Sequence, residues 1–452
     1  MLGPRLAPLV LITLLAGCLA PDALDAAATD VDVLATPASA PYATVALVDT
    51  GINPYHVDFR DTSPLAYVHP STYLPGYPAD AIAVNLTLDA EDLEAAIEAD
   101  MEVWKTLAPE TLYWFPGTKV SGISFYGGDA AEPGFVFDTG HGTMTASRAA
   151  GNAYSLCPEC RIVMVQGFTG AAVTWASEQP WIDAQSNSWS PAVVFQQADV
   201  AQEPGLADAF EAAATRHAVF GSAGNGVAGK LGVVGHPSFT RSTSGPRGVV
   251  AVGGHDNGEV ILWSGSWPHV VADACSNWAV VGDTLDEYGP DQGGGTSSAS
   301  PYAAGAAARL VLEARRILNL SDGVQDAVFA TGGTPMHELP GSPLEDGEFT
   351  YDELRTVLFK TATPRPVKTE HDGDSCGMTG APYNTYPIAW SSIPQDTPAY
   401  YFIGYGQISV DSIALALDVL HGAQALPERP VEDGWHERAQ MLRDTYNDLP
   451  VR

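Results

Sequence analysis

Three short motifs, far apart in the chain, carry the residue types of a nucleophilic catalytic set. They are A-L-V-D-T-G around Asp49, H-G-T-M-T-A beginning at His141, and G-T-S-S-A-S-P around Ser297. A serine hydroxyl becomes a strong nucleophile when a histidine removes its proton and a carboxylate orients that histidine. Each motif alone is a weak signal. Together, in this order, they predict a reaction in which Ser297 attacks a substrate, with His141 as base and Asp49 as its partner.

The elements around these motifs predict an α/β fold. Apolar runs that read as strands alternate with stretches of helical periodicity, which is typical of a central, mostly parallel sheet with helices on both faces. In such sheets, functional sites gather where the strands end, and Asp49 directly follows the first strand. The predicted strands cover 44–48, 161–166, 181–185, 217–222 and 247–254, and the predicted helices cover 141–150, 202–216 and 298–318.

An insertion of about residues 60–130 separates the Asp motif from the His motif. Within it, a helix is predicted over 91–105, with an apolar face that we expect to pack on the main body; a wall of the substrate site is the alternative. That face is formed by Leu93, Ile97, Met101 and Trp104.

The rest of the domain, which we place at 42–422, contains two loop-rich segments and two closing helices. Residues 321–350 and 365–400 are rich in turn-forming residues and read as surface loops. The closing helices begin at about Tyr351 and Val410, and residues 423–452 form a polar, peripheral tail. No internal repeat is present.

The N-terminus has the features of an export signal. Arg5 precedes an apolar stretch that is too short to span a bilayer comfortably. The stretch ends in L-A-G-C, which resembles the lipobox of a prokaryotic lipoprotein, so residues 1–18 are predicted to be a signal peptide with Cys18 lipidated. Ordinary cleavage near Ala20 is the alternative. Residues 19–41 are rich in Ala, Asp and Pro and are expected to be a flexible tether.

Four cysteines remain after Cys18, an even number in a chain expected to enter an oxidising compartment. Two disulfides are therefore predicted, and Cys157–Cys160 with Cys275–Cys376 is the favoured pairing among three. The Cys157–Cys160 run could also be a redox dithiol or half of a zinc site.

The catalytic motifs resemble those of subtilisin-like serine proteases (subtilases), which have the same Asp, His, Ser order. Two further segments carry the resemblance. S-A-G-N-G, ending at Gly226, resembles the oxyanion segment of the family, and S-N-S-W-S, ending at Ser190, resembles the strand that pairs with substrate. The resemblance implies that Asn225 donates its side-chain amide to the oxyanion, although an Asn-Gly turn would explain this residue too. It implies substrate contacts by Ser188, Trp189, Ser190, Ser222, Ala223 and Gly224.

The chain departs from the family pattern at several positions. Ser298 stands where Met is common and is the rival of Ser297 as nucleophile. Trp189 replaces a smaller apolar residue and could either reshape the specificity pocket or pack in the core. The stretch after His141 is short beside relatives with a calcium loop, so no metal is predicted, although Asp58 could otherwise have been a ligand. No cofactor is expected.

The charge of the chain limits its partners. It has 54 Asp and Glu against 21 Lys and Arg, a net charge of −33. Such a surface repels nucleic acid and anionic lipid. We therefore expect an exported, monomeric endopeptidase that acts on proteins or peptides and touches a membrane only through a lipid anchor. The alternatives are an inactive subtilase fold used as a surface binding module, and a processing protease with narrow specificity.

Overall fold

One large, mostly parallel sheet forms the centre of the molecule. A computed structural model describes residues 42–126, 140–189, 205–224, 248–256, 259–260, 268–275, 278–279, 285–289, 295–318, 339, 341–364 and 404–428, all within one compact unit. The strands in these ranges are β1 (Thr44–Asp49), β2 (Ile82–Ala83), β3 (Tyr113–Trp114), β4 (Val120–Ser124), β5 (Arg161–Gln166), β6 (Ala184–Asn187), β7 (Ala218–Ser222), β8 (Val250–Asp256), β9 (Glu259–Val260), β10 (Val270–Asp273), β11 (Trp278–Ala279), β12 (Tyr288–Gly289) and β13 (Gln407–Ile408).

The order of the strands places β1 in the middle of the sheet. Along the main path it is β13-β10-β8-β7-β6-β1-β5-β4-β3-β2, with β9 paired to β8, while β11 and β12 form a separate pair. Within the main sheet, β3–β4 and β8–β9 are antiparallel and the other described pairs are parallel. The predicted fold class is confirmed. β4, which lies inside the predicted insertion, is an integral member of the sheet beside β5.

Helices cover both faces of this sheet. Side chains of a strand alternate between faces, so Val45 and Leu47 of β1 pack in one apolar cluster and Ala46 and Val48 in another. The helices in the described ranges are α1 (Leu93–Trp104), α2 (His141–Ala150), α3 (Gly170–Glu178), α4 (Leu206–Ala214), α5 (Thr296–Ile317), α6 (Tyr351–Thr361) and α7 (Val410–Leu420). The first cluster includes residues of α2, α5, α6 and α7, and the second includes residues of α3 and α4.

The insertion helix α1 docks through a polar contact that its apolar pattern did not predict. The buried stripe consists of Leu93, Ala96, Asp100 and Trp104. The Asp100 carboxylate accepts hydrogen bonds from the Tyr55 hydroxyl at 2.8 Å and the Thr87 hydroxyl at 2.7 Å. Of the predicted face, Leu93 and Trp104 are buried and Ile97 packs partly buried against the same cluster. Met101 is half-buried, and Ala96 and Asp100 share the buried face.

A close approach between α2 and α5 brings together the two helices that carry the His and Ser motifs. Gly305 of α5 lies against the carbonyl oxygen of Ala149, and a Cβ on Gly305 would be only 2.1 Å from that oxygen. No real Cβ contact is this short, so glycine is required for the two helix backbones to touch. Alanines surround Gly305 on α5 and are fully buried. Small side chains thus fix the separation of α2 and α5.

Gly305→Ala should therefore lower stability, although the same change in an ordinary helix interior raises it by roughly 0.5–1 kcal/mol. The added methyl must push the helices apart, and overpacking of this kind costs about 1–3 kcal/mol. Urea denaturation of the two proteins gives the difference in the free energy of unfolding. A variant more stable than the wild type would show that α2 and α5 are not in contact at this position.

Candidate active site

Asp49 lies at the carboxyl end of β1 with its carboxylate almost fully buried. One oxygen, Oδ1, is 2.7 Å from Nδ1 of His141 and also accepts the backbone N–H of Thr50 at 2.8 Å. The other, Oδ2, is 3.1 Å from the Thr145 hydroxyl. Because a carboxylate only accepts hydrogen bonds, His141 must carry a proton on Nδ1. In the neutral ring, the lone pair that could act as a base is then on Nε2.

The first turn of α2 holds His141 against β1. The backbone N–H of Gly142 donates a hydrogen bond to the Thr50 hydroxyl at 3.0 Å. A Cβ on Gly142 would be 2.0 Å from the carbonyl oxygen of Gly51. The Asp-Thr-Gly and His-Gly motifs therefore fit each other directly, since Thr50 binds the start of the helix and the two glycines allow the backbones to meet. The His141 side chain keeps 32% of its surface exposed, so substrate can reach it.

Gln166 supports the turn after Asp49 and was not predicted from the sequence. It ends β5, pairs in register with Asp49, and donates from Nε2 to the carbonyl of Thr50 at 2.8 Å. Ser124 donates in turn to Oε1 of Gln166 at 2.7 Å. The turn after Asp49 is thus held from the neighbouring strand. A polar residue at the end of the apolar run R-I-V-M-V-Q was the signal that could have revealed it.

Ser297 is placed at the same edge of the sheet by β6. Asn187 of β6 pairs in register with Val48 of β1, so the residues that follow, Ser188 and Asp49, lie at the ends of adjacent strands roughly 4.8 Å apart. The Ser188 hydroxyl donates to the carbonyl of Ser297 at 3.0 Å, and the Ser297 hydroxyl lies 3.4 Å from the carbonyl of Ser188. Ser297 is part-exposed in the first turn of α5.

Ser298, the rival nucleophile, faces the interior. Its side chain is fully buried, and within the described ranges its hydroxyl has no hydrogen-bond partner. A substrate carbonyl could not reach this hydroxyl without moving α5. The orientation of the helix therefore favours Ser297.

The oxyanion segment is described up to Gly224. Ser222 ends β7, whose Gly221 pairs in register with Asn187, so this segment leaves the sheet at the same edge as Asp49 and Ser188. The Gly224 N–H donates to the Thr296 hydroxyl at 3.1 Å, which ties the segment to the residue before Ser297. Ala223, which lies between Ser222 and Gly224 in the chain, is buried. Asn225 lies outside the described residues, so its role as oxyanion donor stays a prediction.

The comparison with known families agrees with this geometry. A family model described as the subtilase family matches residues 42–364, which is more than half of the chain. The chain belongs to the subtilase family. Among curated proteins, none matches it. Family membership makes this chain a serine protease, whose substrates are proteins. The match covers β1, α2 and α5 together.

Trp189 of this subtilase packs in the core. Only 7% of its surface is exposed, and its rings lie 5.5 Å from the ring of Phe168 and 5.9 Å from that of Phe210. This placement favours packing, the alternative to a role in reshaping the specificity pocket. Ser190 lies outside the described residues.

The structure pairs Cys157 with Cys160, in the connection between α2 and β5. Cys275 is also disulfide-bonded, but Cys376 lies outside the described residues, so the predicted pairing of these two stays a prediction. Cys18 and the signal segment are likewise outside. Within the described ranges, no group of three or more His, Cys, Asp or Glu side chains has the geometry to hold a metal ion, and no helix is both long and apolar enough to cross a bilayer.

Asp58, the residue considered as a metal ligand, joins three segments of the subtilase domain. Its carboxylate accepts the Ser147 hydroxyl of α2 at 2.7 Å, the Ala153 N–H at 2.8 Å, and the Tyr288 hydroxyl at 3.1 Å. Ser147 belongs to the His141 helix, and Tyr288 belongs to β12. One buried carboxylate therefore links the segment after β1 to α2 and to β12.

A lysine ammonium supplies positive charge beside this junction. Lys119 donates to the carbonyl of Ala150 at 3.0 Å, the side-chain oxygen of Asn152 at 2.5 Å, and the carbonyl of Pro158. Burial lowers the pKa of Lys119 to about 8, while the charge of Asp58 acts in the opposite direction. The ammonium binds the loop that leaves α2 through three oxygen atoms. The spacing of residues in the sequence does not predict that Lys119 contacts this loop.

His56 anchors residues 285–289 to the segment after β1. Its Nδ1 accepts the N–H of Asp58 at 3.1 Å, and its Nε2 is 3.0 Å from the carbonyl of Glu287. These contacts require a neutral ring with the proton on Nε2. Burial lowers the pKa of His56, in agreement with this geometry. A proton added to Nδ1 would break the contact with Asp58.

Acid should therefore weaken the fold through His56. Because the folded-state pKa lies below the ordinary value of about 6.5, the unfolded chain binds the proton first as the pH falls, and stability decreases below about pH 6.5. We expect the free energy of unfolding of the wild type to fall more between pH 7.5 and pH 5 than that of His56→Gln. Urea denaturation at both pH values measures this, and equal losses in the two proteins would contradict the assignment.

Proposed function

We propose that this subtilase is an exported endopeptidase that cleaves amide bonds through an acyl-enzyme on Ser297. The observation that carries the proposal is the 2.7 Å hydrogen bond between Asp49 and His141, at the sheet edge where Ser188 holds Ser297. His141 is oriented by the contact of its Nδ1 with Asp49, and the serine lies in the first turn of a neighbouring helix. These are the parts that nucleophilic catalysis by serine requires.

The reaction would proceed in two halves. Nε2 of His141 takes the proton of the Ser297 hydroxyl as its oxygen bonds to the substrate carbonyl carbon. Asp49 stabilises the imidazolium, which then gives its proton to the leaving amine as the carbon–nitrogen bond breaks. Water then attacks the acyl carbon and gives a proton to His141, which passes it to Oγ of Ser297 as the bond between that oxygen and the acyl carbon breaks and the carboxylic acid leaves.

The oxyanion of each tetrahedral intermediate needs hydrogen-bond donors. The N-terminus of α5 supplies the backbone N–H of Ser297 and the positive end of the helix dipole. Asn225, as the next residue after the Gly224 contact with Thr296, is proposed as the second donor.

Export is supported by the N-terminal sequence and by a disulfide. Residues 1–18 have the order of a lipoprotein signal, and Cys157–Cys160 is bonded, as expected of a chain that matures in an oxidising compartment. We propose that Cys18 is lipidated and tethers the enzyme at the cell surface. Intact-mass measurement of the mature protein tests this, since an unmodified chain beginning elsewhere than at Cys18 would refute the anchor.

A serine-directed fluorophosphonate tests the catalytic assignment. We expect the wild type to be labelled on Ser297 by peptide mapping, because only this hydroxyl of the pair is exposed. Ser297→Ala should lose labelling, and its activity on casein should fall by at least about 10³-fold. Ser298→Ala is the matched control and should still be labelled. Label on Ser298, or full activity in Ser297→Ala, would overturn the assignment.

A second experiment on the same purified protein distinguishes a general endopeptidase from a narrow processing protease and from an inactive binding module. A peptide-cleavage screen with broad cuts supports a general endopeptidase, while cuts at one motif support a narrow processing role. An unlabelled, folded wild type with no cuts would indicate the binding module.

A further inference from the structure

We propose that Thr145 is a positioning residue of this protease, whose hydroxyl holds the second oxygen of Asp49 and so fixes the orientation of the carboxylate toward His141. The inference rests on the proposed function, since it assigns a role within the same reaction. It concerns a residue that lies within the H-G-T-M-T-A motif but outside the catalytic set of Asp49, His141 and Ser297.

The geometry places two contacts from one helix face on one carboxylate. Thr145 is four residues after His141 on α2, so the two side chains point to the same side of the helix. His141 contacts Oδ1 of Asp49 and Thr145 contacts Oδ2, at 2.7 Å and 3.1 Å. A carboxylate held at both oxygens by one rigid turn cannot rotate away from the imidazole.

Burial makes this second contact important. Thr145 is fully buried and Asp49 is 1% exposed, so water cannot readily replace the hydroxyl at Oδ2. A buried carboxylate oxygen without a donor is costly, because its hydration is lost without compensation. Thr145 therefore supplies a hydrogen-bond donor to Oδ2, whereas the other described contacts of Asp49 are made by Oδ1.

The Thr145 hydroxyl has a single proton and two nearby acceptors. Its oxygen is 3.1 Å from Oδ2 of Asp49 and 3.0 Å from the carbonyl of Gly142 in its own helix. Back-bonding to a helix carbonyl is common for threonine. A hydrogen bond to an ionised acceptor is, however, about twice as strong as a neutral one. The carboxylate therefore takes the proton.

The consequence for catalysis is specific. Thr145 is buried behind Asp49 and does not reach substrate, so its loss should leave substrate binding intact. It should slow the proton transfer, which depends on how well Asp49 orients and stabilises His141. A purely structural threonine would instead affect stability without changing the state of the imidazole.

The experiment compares Thr145→Val, which removes the hydroxyl and keeps the shape, with Thr145→Ser, which restores it. Thr361→Val is the matched control, since Thr361 is a buried helical threonine whose hydroxyl, among the described residues, bonds to the carbonyl of Val357 in its own helix. We expect kcat of Thr145→Val to fall about 10- to 100-fold, the equivalent of one charge-assisted hydrogen bond, with KM within about twofold. Thr145→Ser and Thr361→Val should match the wild type.

A proton NMR measurement gives a readout that does not require turnover. The Nδ1–H of His141, hydrogen-bonded to Asp49, should give a downfield signal, and removing the donor on Oδ2 should move it in Thr145→Val but not in Thr361→Val. If Thr145→Val does not fold, Thr145→Cys, with its weaker donor, should show an intermediate kcat and a smaller shift.

The outcomes separate this inference from the proposed function. A wild type that is labelled on Ser297, with Thr145→Val unchanged in kcat and in the His141 signal, overturns only the role of Thr145. An inactive, unlabelled wild type overturns the proposed function. The His141 signal then decides whether Thr145 holds Asp49, and an unmoved signal refutes it.

Discussion

The hydrogen bond between Asp49 and His141 constrains most of the architecture around it. It joins the end of a central strand to the first turn of a helix, and both backbones must come very close for it to form. Gly142 permits that approach because a larger residue would strike Gly51. Gln166 fixes the turn from the next strand, so the carboxylate is presented by a rigid edge of the sheet.

Packing of α2 on α5 extends the same constraint to the serine. Gly305 and its alanine neighbours let the two helices touch, so that the helix that begins at His141 packs directly against the helix that carries Ser297. Asp58 adds a second link on the other side of α2, through Ser147 and Tyr288. The segment after β1, α2 and α5 are therefore tied together at points other than the contact between Asp49 and His141.

Much of this fold could be predicted from local sequence patterns. The apolar run before Asp49 gave β1 within one residue, and the helical pattern 141–150 matches α2. The strand predicted at 181–185 begins later, at Ala184. Just before it, the Asp183 carboxylate forms a buried ion pair with Arg315 and accepts the N–H of Thr44. That pairing spans distant parts of the chain, and no periodicity reports it.

The site was predictable where its residues lie in contiguous motifs, and not where they are recruited across the fold. Asp49, His141 and Ser297 stand in recognisable sequences, whereas Gln166 and Asp58 act through partners far away in the chain. The α1 helix shows the same limit. Its apolar face was predicted from periodicity, but the buried Asp100 was not, because its partner Tyr55 lies outside the insertion.

A crystal structure of the fluorophosphonate adduct tests the central claim most directly. The account predicts phosphorus bonded to Oγ of Ser297, Nε2 of His141 directed at that oxygen, and the Asp49–His141 hydrogen bond retained with its second carboxylate oxygen on Thr145. An adduct on another residue, or a His141 ring turned away from Asp49 while Ser297 is modified, would contradict it.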